Sequence, residues 1–506
     1  MSRIALAFCA CAVILLGSPV RAQSPGNSVR AYRQAHEAEI VRELAELLAI
    51  PNVASDSPNI RRNAAAIIEM MSRRGIQAKL LEGAGPPSVF GELKTAGATQ
   101  TIGFYAHYDG QPVDPSKWVS DPFKPTLRSA SLEAGGKEIP FPSPGQKLDP
   151  ESRIYARSAS DDKSPIIAML VALDALKASH RAPSVNLKFF FEGEEEAGSR
   201  HLEELVRPNS TLLIADVWIT ADGPVHQSRR QAIFFGMRGI VSVDITVYGP
   251  NRALHSGHYG NWAPNPAFRL VKLLASMRDD NGRVLIDGFY DEVAPLGEEE
   301  QRAVKEMPPI DGELMRQYGL ASTDQSGRTL AELINQPSLN IDGLRSEYVN
   351  AEARTIIPSE ATASLDLRLV KGNDPNRQVE RLIAHVKKQG YVITSGEPTA
   401  EMRLTHPLIA RITVRDGYRA VRTPMDLPIS RKVIATVEQA IGNAPVLIPT
   451  LGGSGPLWIF EETTRAPQIG VPIVNHDNNQ HGVNENLRIQ NLWDGIEIFA
   501  ALMTMR

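Results

Sequence analysis

The stretch KFFFEGEEEAG, residues 188–198, joins an apolar run directly to a cluster of acids. Three consecutive phenylalanines are typical of a buried strand, and glutamates follow at positions 192, 194, 195 and 196. Crowded carboxylates repel one another, so at least one of them must bind a proton or a cation. The stretch therefore predicts a buried strand that ends beside a divalent metal ion.

Strands and helices alternate on both sides of this stretch. Helices are predicted over residues 28–50, 59–74 and 164–177, and strands in TIGFYAHYDG and DVWITADGP. This alternation indicates an α/β domain with a mostly parallel sheet. The Pro-, Gly- and Ser-rich segment 124–153 is predicted to be a long loop, which is typical of functional or disordered segments.

The pattern changes after residue 235. IVSVDITVYG, ATASLDLRLV and the helix RQVERLIAHVKKQG indicate a smaller α+β domain, and the α/β character returns around residue 427. The predicted organisation is a catalytic α/β domain formed by residues 23–235 and 404–506, interrupted by an inserted domain at residues 236–403.

The first 22 residues have the features of a signal peptide. Arg3 precedes an apolar run at residues 4–16 that is too short to span a bilayer, and Ala22 is a suitable cleavage point. An uncleaved membrane anchor is the alternative. We expect an exported protein, periplasmic or secreted, with no membrane span after cleavage. Both cysteines, Cys9 and Cys11, lie in this segment, so the mature chain offers no thiolate as nucleophile or metal ligand.

The charge of the chain excludes one class of partner. The formal net charge is −4, and loss of Arg3 and Arg21 with the signal peptide would make it −6. A mildly acidic chain without a basic stripe argues against binding of nucleic acid.

Further acids and histidines stand where the predicted strands of the first domain end. In open α/β sheets, ligands collect at the carboxyl ends of the strands. Taken singly, each residue has an ordinary structural explanation, such as helix capping by Asp161. Taken together, two imidazoles and several carboxylates without cysteine form a site suited to zinc, manganese or cobalt. Besides the glutamates, the candidates are His107, Asp109, Asp161, Asp162, Asp222 and His481.

Six stretches follow one another in a specific order: YAHYDGQP, RSASDDKS, FEGEEEAGS, ITADGP, LHSGHYG and NQHGVNEN. They resemble the successive motifs of the aminoacylase/carnosine-dipeptidase family of co-catalytic metallopeptidases, which are dinuclear zinc exopeptidases. The resemblance runs from about Ala31 to the C-terminus. It implies a zinc-exopeptidase-like catalytic domain and an inserted lid and dimerisation domain, hence a homodimer.

The resemblance also implies roles for the candidate residues. Two divalent ions per subunit are expected, zinc first, with manganese or cobalt as alternatives. One ion would be held by His107 and Asp222, the other by Glu196 and His481, and Asp161 would bridge them. Asp109 would orient His107, and Glu195 would be the general base.

The substrate-binding residues are likewise implied by the resemblance. His255, in LHSG, would reach the active site of the partner subunit and stabilise the oxyanion. RTIIP, LDLRLV and GGSG nominate Thr355, Arg368, Gly453 and Ser454 to hold a substrate carboxylate.

The expected function is that of an exopeptidase cleaving dipeptides or short peptides, through a metal-bridging water with Glu195 as general base. An N-acyl-amino-acid deacylase with the same metals is the alternative. A non-catalytic binding relative is disfavoured, because every ligand position and Glu195 are present.

The chain departs from the family pattern next to the bridging aspartate. Dipeptidases of the family read Gly-Arg-Gly before it and glycine after the following lysine. Here Ala156-Arg157-Ser158 and Ser164 stand in those places. The departure raises the question of what shapes the backbone beside Asp161.

Overall fold

The computed structural model describes residues 25–505, except for the side chains of residues 25–27 and of Asp416. The predicted signal peptide, residues 1–22, lies outside the described residues. The helix predicted over residues 28–50 is two helices that meet at His36, Pro25–Ala35 and Glu37–Leu48. The next helix, Ser57–Arg73, begins where the Asp56 side chain accepts a hydrogen bond from the Asn59 backbone N–H.

An eight-stranded sheet forms the centre of the first domain. Its four central strands are mutually parallel, whereas the two strands at one edge pair antiparallel. The predicted mostly parallel α/β sheet is therefore confirmed at its centre. In spatial order the strands are Gln77–Leu81, Ser88–Leu93, Asn186–Glu192, Thr101–His107, Val217–Thr220, Gln468–Gly470, Ala232–Phe234 and Val446–Ile448.

Apolar side chains bury both faces of this sheet. Phe189 and Phe191 point into the larger core, and Phe190 points into a smaller core on the opposite face. This alternation follows from the two-residue repeat of a strand, and it is why all three phenylalanines are buried. The helices of this domain, besides those already given, are Lys163–Ala178, Leu202–Val206, Pro428–Ile441, Leu457–Thr464 and Ile489–Met503.

The second domain is built on a separate sheet. The helices Pro266–Ala275 and Pro375–Lys388 contribute to a core of their own with this sheet. Shorter helices follow at Glu298–Glu306, Asp311–Tyr318 and Leu330–Ile334. In spatial order the main path of this seven-stranded second sheet is Ser338–Arg345, Glu360–Leu369, Gly236–Tyr248, Ile409–Tyr418 and Val392–Thr394. The short strands Val421–Arg422 and Leu451–Ser454 also pair with Gly236–Tyr248.

The second sheet continues past residue 403, where the sequence placed the end of the inserted domain. Strand Ile409–Tyr418 pairs antiparallel with Gly236–Tyr248, and the register shifts between Val414 and Gly417. The strand is hard to detect in the sequence because Arg415 and Asp416 interrupt its apolar alternation. A boundary after residue 418 therefore describes the strand pairing better.

The predicted loop 124–153 is largely irregular. It contains the short strand Thr126–Arg128, and Arg153–Tyr155 at its end pairs with both this strand and Asn486–Arg488. Within residues 25–505, no helix combines the length and the apolar character needed to cross a membrane.

Candidate metal centre and active site

The register of the central strands brings the candidate ligands to one edge of the main sheet. His107 lies opposite Glu192 on the neighbouring parallel strand, so the 192–196 glutamates emerge next to the imidazole. Strand Val217–Thr220 pairs with Thr101–His107 on its other side and leads directly to Asp222. Asp161 reaches the same edge just before the helix Lys163–Ala178.

The side chains form two groups that share one carboxylate. His107, Asp161 and Asp222 form the first group, and Asp161, Glu196 and His481 the second; within each group the donor atoms lie within 4.8 Å of one another. His107 Nε2 is 2.9 Å from Asp161 Oδ1. His481 Nε2 is 3.2 Å from both Asp161 Oδ2 and Glu196 Oε2. The structure thus brings together the five residues for which the sequence predicted metal ligation.

The electrostatics of the cluster favour a cation. Burial alone would lower the pKa of His107, but its hydrogen bonds to Asp109 and Asp161 outweigh burial and raise it well above the usual value. Hydrogen bonds to Asp161 and Glu196 raise the pKa of His481 to about 10. Burial raises the pKa of Asp222 to about 6. The surrounding carboxylates thus favour positive charge at both imidazoles, an environment that also favours a divalent cation.

One oxygen of the Glu196 carboxylate lacks a partner. Glu196 Oε1 is buried and accepts no hydrogen bond, although burying a carboxylate oxygen without a partner is costly. Imidazole nitrogens and carboxylate oxygens together suit zinc, manganese or cobalt. The residues present therefore fit divalent metal ions.

Asp109 holds two parts of the site together. Its Oδ1 lies 3.4 Å from His107 Nδ1, consistent with the predicted orienting contact. In addition, Asp109 Oδ1 and Oδ2 accept hydrogen bonds from the backbone N–H groups of Glu195 and Glu196, at 3.0 and 2.9 Å. One buried carboxylate thus fixes both the imidazole and the turn that carries the two glutamates.

Glu195 lies beside the ligand groups and faces a cleft. It begins the short 3-10 turn Glu195–Ala197, its side chain is only 15 % exposed, and its Oε2 is 3.9 Å from His107 Nε2. Burial raises the pKa of Glu195 well above the usual value. The cleft has a volume of about 480 Å³. Glu195 is therefore placed to exchange a proton with a molecule bound in the cleft.

Gln111, Tyr418 and Trp458 are among the cleft residues that were not predicted from the sequence. Gln111 Nε2 donates a hydrogen bond to Glu196 Oε2 at 2.8 Å, and its place in the YAHYDGQP motif could have indicated it. Tyr418 and Trp458 form a stacked aromatic wall, with ring centroids 6.4 Å apart. Tyr418 arrives from the second sheet just after the register shift, and nothing in the sequence indicates this arrangement.

The predicted substrate-binding residues fall into two places. Arg368 Nη1 donates a hydrogen bond to Ser454 Oγ at 2.9 Å. Of Arg368, Gly453 and Ser454, only Ser454 is among the described residues that line the cleft. Thr355 instead lies with His255, because the Thr355 carbonyl accepts a hydrogen bond from the backbone N–H of Ser256. Both Thr355 and His255 are exposed, and neither is among the described residues that line the cleft.

The fold and the site define a metal-dependent hydrolase, with imidazole and carboxylate donors at the strand ends and the largely buried Glu195 beside them. A family model matches residues 103–505, and the chain belongs to Peptidase family M20/M25/M40. The predicted family resemblance and the metallopeptidase class are thereby confirmed.

Similar proteins cover nearly the whole chain. A Cys-Gly metallodipeptidase of Schizosaccharomyces pombe is 27% identical over 91% of this chain and 94% of its own length. The Beta-Ala-His dipeptidase of Homo sapiens is 29% identical over 93% and 90% of the two chains. Among solved structures, an M20 family metallo-carboxypeptidase from Sulfolobus solfataricus has a TM-score of 0.76 at 29% identity, covering 92% of this chain and 99% of its own. Human carnosine dipeptidase 1 shares the fold, with a TM-score of 0.74 at 24% identity, covering 96% of this chain and 99% of its own.

Proposed function

We propose that the protein is an exopeptidase that uses two divalent metal ions to hydrolyse dipeptides or short peptides. The observation that carries this proposal is the sharing of Asp161 between two ligand groups directly beside Glu195. The first ion would be held by His107, Asp161 and Asp222, and the second by Asp161, Glu196 and His481. The predicted export, to the periplasm or outside the cell, remains part of the proposal.

The chemistry is divided between the ions and Glu195. Ions bound at these two groups supply a water of lowered pKa and a polarised scissile carbonyl. Glu195 accepts the proton of the attacking water at a carboxylate oxygen and then donates it to the leaving amine nitrogen. The burial that raises the pKa of Glu195 helps the carboxyl to hold this proton between the two steps.

The cleft also offers a place for the free carboxylate of a substrate. The Ser454 hydroxyl lines the cleft, and the Arg368 guanidinium lies directly behind it at hydrogen-bond distance. A guanidinium matches the planar geometry of a carboxylate. Binding of the C-terminal carboxylate limits cleavage to the end of a peptide, and the relatives named as dipeptidases and a metallo-carboxypeptidase support this assignment.

A substrate panel separates the peptidase from the N-acyl-amino-acid deacylase. We expect free dipeptides to be cleaved with a kcat/KM at least about tenfold above that of their C-terminal amides, since one charged hydrogen bond is worth about 1.5–3 kcal/mol. They should also be cleaved faster than N-acetyl-amino acids, which keep the carboxylate but lack the free amino group. Arg368→Met should remove the preference for the free carboxylate. Faster cleavage of N-acetyl-amino acids than of any peptide would replace the proposal with the deacylase.

An exposed apolar surface supports the proposed homodimer. Trp262, Phe268 and Leu404 are 78, 79 and 88 % exposed. The segments that carry these side chains meet at Gly249. Its carbonyl accepts a hydrogen bond from Arg403, the neighbour of Leu404, and its backbone lies against Pro266, close to Phe268 in the sequence. Large exposed apolar side chains close together are typical of interaction surfaces. We infer that a second copy covers them and carries His255 and Thr355 towards the partner's cleft.

Complementation between two inactive variants tests this arrangement. His255→Ala and Glu195→Gln chains should each be inactive, but in a mixed dimer one site combines an intact Glu195 with an intact His255 from the partner. After re-equilibration about half of the dimers are mixed and each has one good site of two, so up to about a quarter of wild-type activity should return. Heterodimers verified by mass spectrometry that stay inactive would rule out a contribution of His255 in trans.

A further inference from the structure

The backbone beside Asp161 is unusual at Ser158. Its φ of 61° lies in the left-handed region, which disfavours any residue with a Cβ. The family resemblance places glycine at this position, and glycine adopts the conformation freely. Something in this chain must therefore hold Ser158 in place. The Ser158 hydroxyl accepts a hydrogen bond from Asn52 Nδ2 at 2.8 Å, but that bond does not fix the backbone N–H.

The backbone is fixed by Glu485, which is fully buried. Glu485 Oε2 accepts hydrogen bonds from the Ser158 backbone N–H at 2.9 Å and from Arg157 Nη1 at 2.7 Å. Glu485 Oε1 accepts from the backbone N–H groups of Ser160 and Asp161, at 3.0 and 2.9 Å, and from Ser160 Oγ at 2.9 Å. Five donors thus meet on one carboxylate, and one of them is the backbone N–H of the shared ligand Asp161.

Arg157 extends this connection to the other ligand loop. Its Nη2 donates a hydrogen bond at 3.0 Å to the carbonyl of Gly482, the residue after His481. The guanidinium also lies over the Trp118 ring, 5.2 Å from its centroid. The buried pair of Arg157 and Glu485 therefore joins the loop that carries Asp161 to the loop that carries His481.

We propose that Arg157 and Glu485 are positioning residues that hold Asp161 and His481 at the spacing one metal ion requires, and so set the affinity of the second ligand group. This proposal rests on the two-ion function proposed above. The second group takes ligands from both joined loops, whereas His107 and Asp222 of the first group lie on strand ends outside the connection. Loosening the connection should therefore weaken the second ion more than the first, which shares Asp161 but takes its other two ligands from outside the connection.

A matched ion pair distinguishes positioning from general stability. Arg33 and Glu37 are also buried, with Arg33 Nη1 2.8 Å from Glu37 Oε1, and Glu37 likewise accepts a backbone N–H, that of Leu148. This pair is not part of either ligand group. Glu37→Gln should lower the thermal midpoint of the metal-free protein without changing the ratio of the two metal affinities.

The test is a titration of the metal-free full chain with Zn²⁺ against a chromophoric competing chelator. The variant His481→Ala loses a ligand of the second group. The binding step that disappears in this variant is therefore the one that belongs to the second group. In Glu485→Gln and Arg157→Met, the dissociation constant of that step should rise at least about tenfold, which is the effect expected when a residue that supports metal ligands is changed. The dissociation constant of the other step should change less than about threefold. Arg157→Lys should give an intermediate value, because lysine keeps the charge without the planar fork.

A rescue variant tests the role of Ser158. Adding Ser158→Gly to Glu485→Gln should recover part of the lost affinity, because glycine holds the left-handed backbone without the carboxylate. Should Glu485→Gln not fold, Arg157→Lys and Arg157→Met carry the same comparison.

The outcomes separate this proposal from the proposed function. The wild-type chain could show two binding steps while the variants weaken both steps equally or weaken neither. That result would overturn the positioning role and leave the two-ion function standing. Fewer than two ions per wild-type chain would overturn both.

Discussion

Replacing Glu195 by glutamine should lower kcat by about a hundredfold to ten-thousandfold, the range for loss of a general base. Glutamine has nearly the same shape and should still line the cleft, but it cannot accept the proton of the attacking water or return it to the leaving amine. The backbone N–H of residue 195 still donates to Asp109, so the turn that carries Glu196 should stay in place. Steady-state kinetics together with metal analysis measure both effects, and the metal content should not change.

Glu194 provides the matched control for this experiment. It is the adjacent acid, but its carboxylate accepts hydrogen bonds from the His201 ring at 2.8 Å and from the His201 backbone N–H, and it is not among the described residues that line the cleft. Glu194→Gln should therefore keep kcat within a few-fold of wild type. Near wild-type turnover by Glu195→Gln would show that another group moves the proton.

Removal of the metal should abolish activity altogether. Without cations the raised pKa values of the two imidazoles favour their protonated forms, and no metal ion lowers the pKa of a water for attack. Dialysis against a chelator, followed by addition of Zn²⁺, Mn²⁺ or Co²⁺, should restore turnover at close to two ions per chain. Inductively coupled plasma mass spectrometry measures the number of metal ions per chain. Full activity of a preparation free of metal would contradict the proposed mechanism.

Ligand variants separate this effect from that of Glu195. His481→Ala and Glu196→Ala remove donors from the second group only. Both should need higher metal concentrations for activity, whereas the effect of Glu195→Gln should not respond to added metal.

The main sheet and the ligand positions could be predicted because local sequence determines them. Three consecutive phenylalanines require burial on both faces of a sheet, and the acids that follow must then lie at its edge. Parallel pairing puts the ends of neighbouring strands side by side, so His107 and Asp222 reach the same edge as the glutamates. The assignment of ligands to individual ions came from the family resemblance, not from these patterns.

Other features depend on contacts between segments distant in the sequence. Tyr418 faces the cleft because its strand joins the second sheet and shifts register just before it. Glu485 lies in a polar loop, and the local sequence does not indicate its hydrogen bonds to the backbone N–H groups of Ser158 and Asp161. In the proposed homodimer, the place of His255 would depend on a second subunit, which no pattern within one chain describes.

The order of strands in the main sheet constrains how the chain can acquire its structure. Strand Gln468–Gly470 lies between Val217–Thr220 and Ala232–Phe234, so more than two hundred residues separate the neighbours in sequence. A nascent chain that has not yet reached residue 468 has a gap in this sheet and two unpaired strand edges, which are prone to wrong pairing. The second sheet contains no strand later than Tyr418 along its main path. During synthesis the five strands of this main path can therefore pair before the main sheet receives Gln468–Gly470.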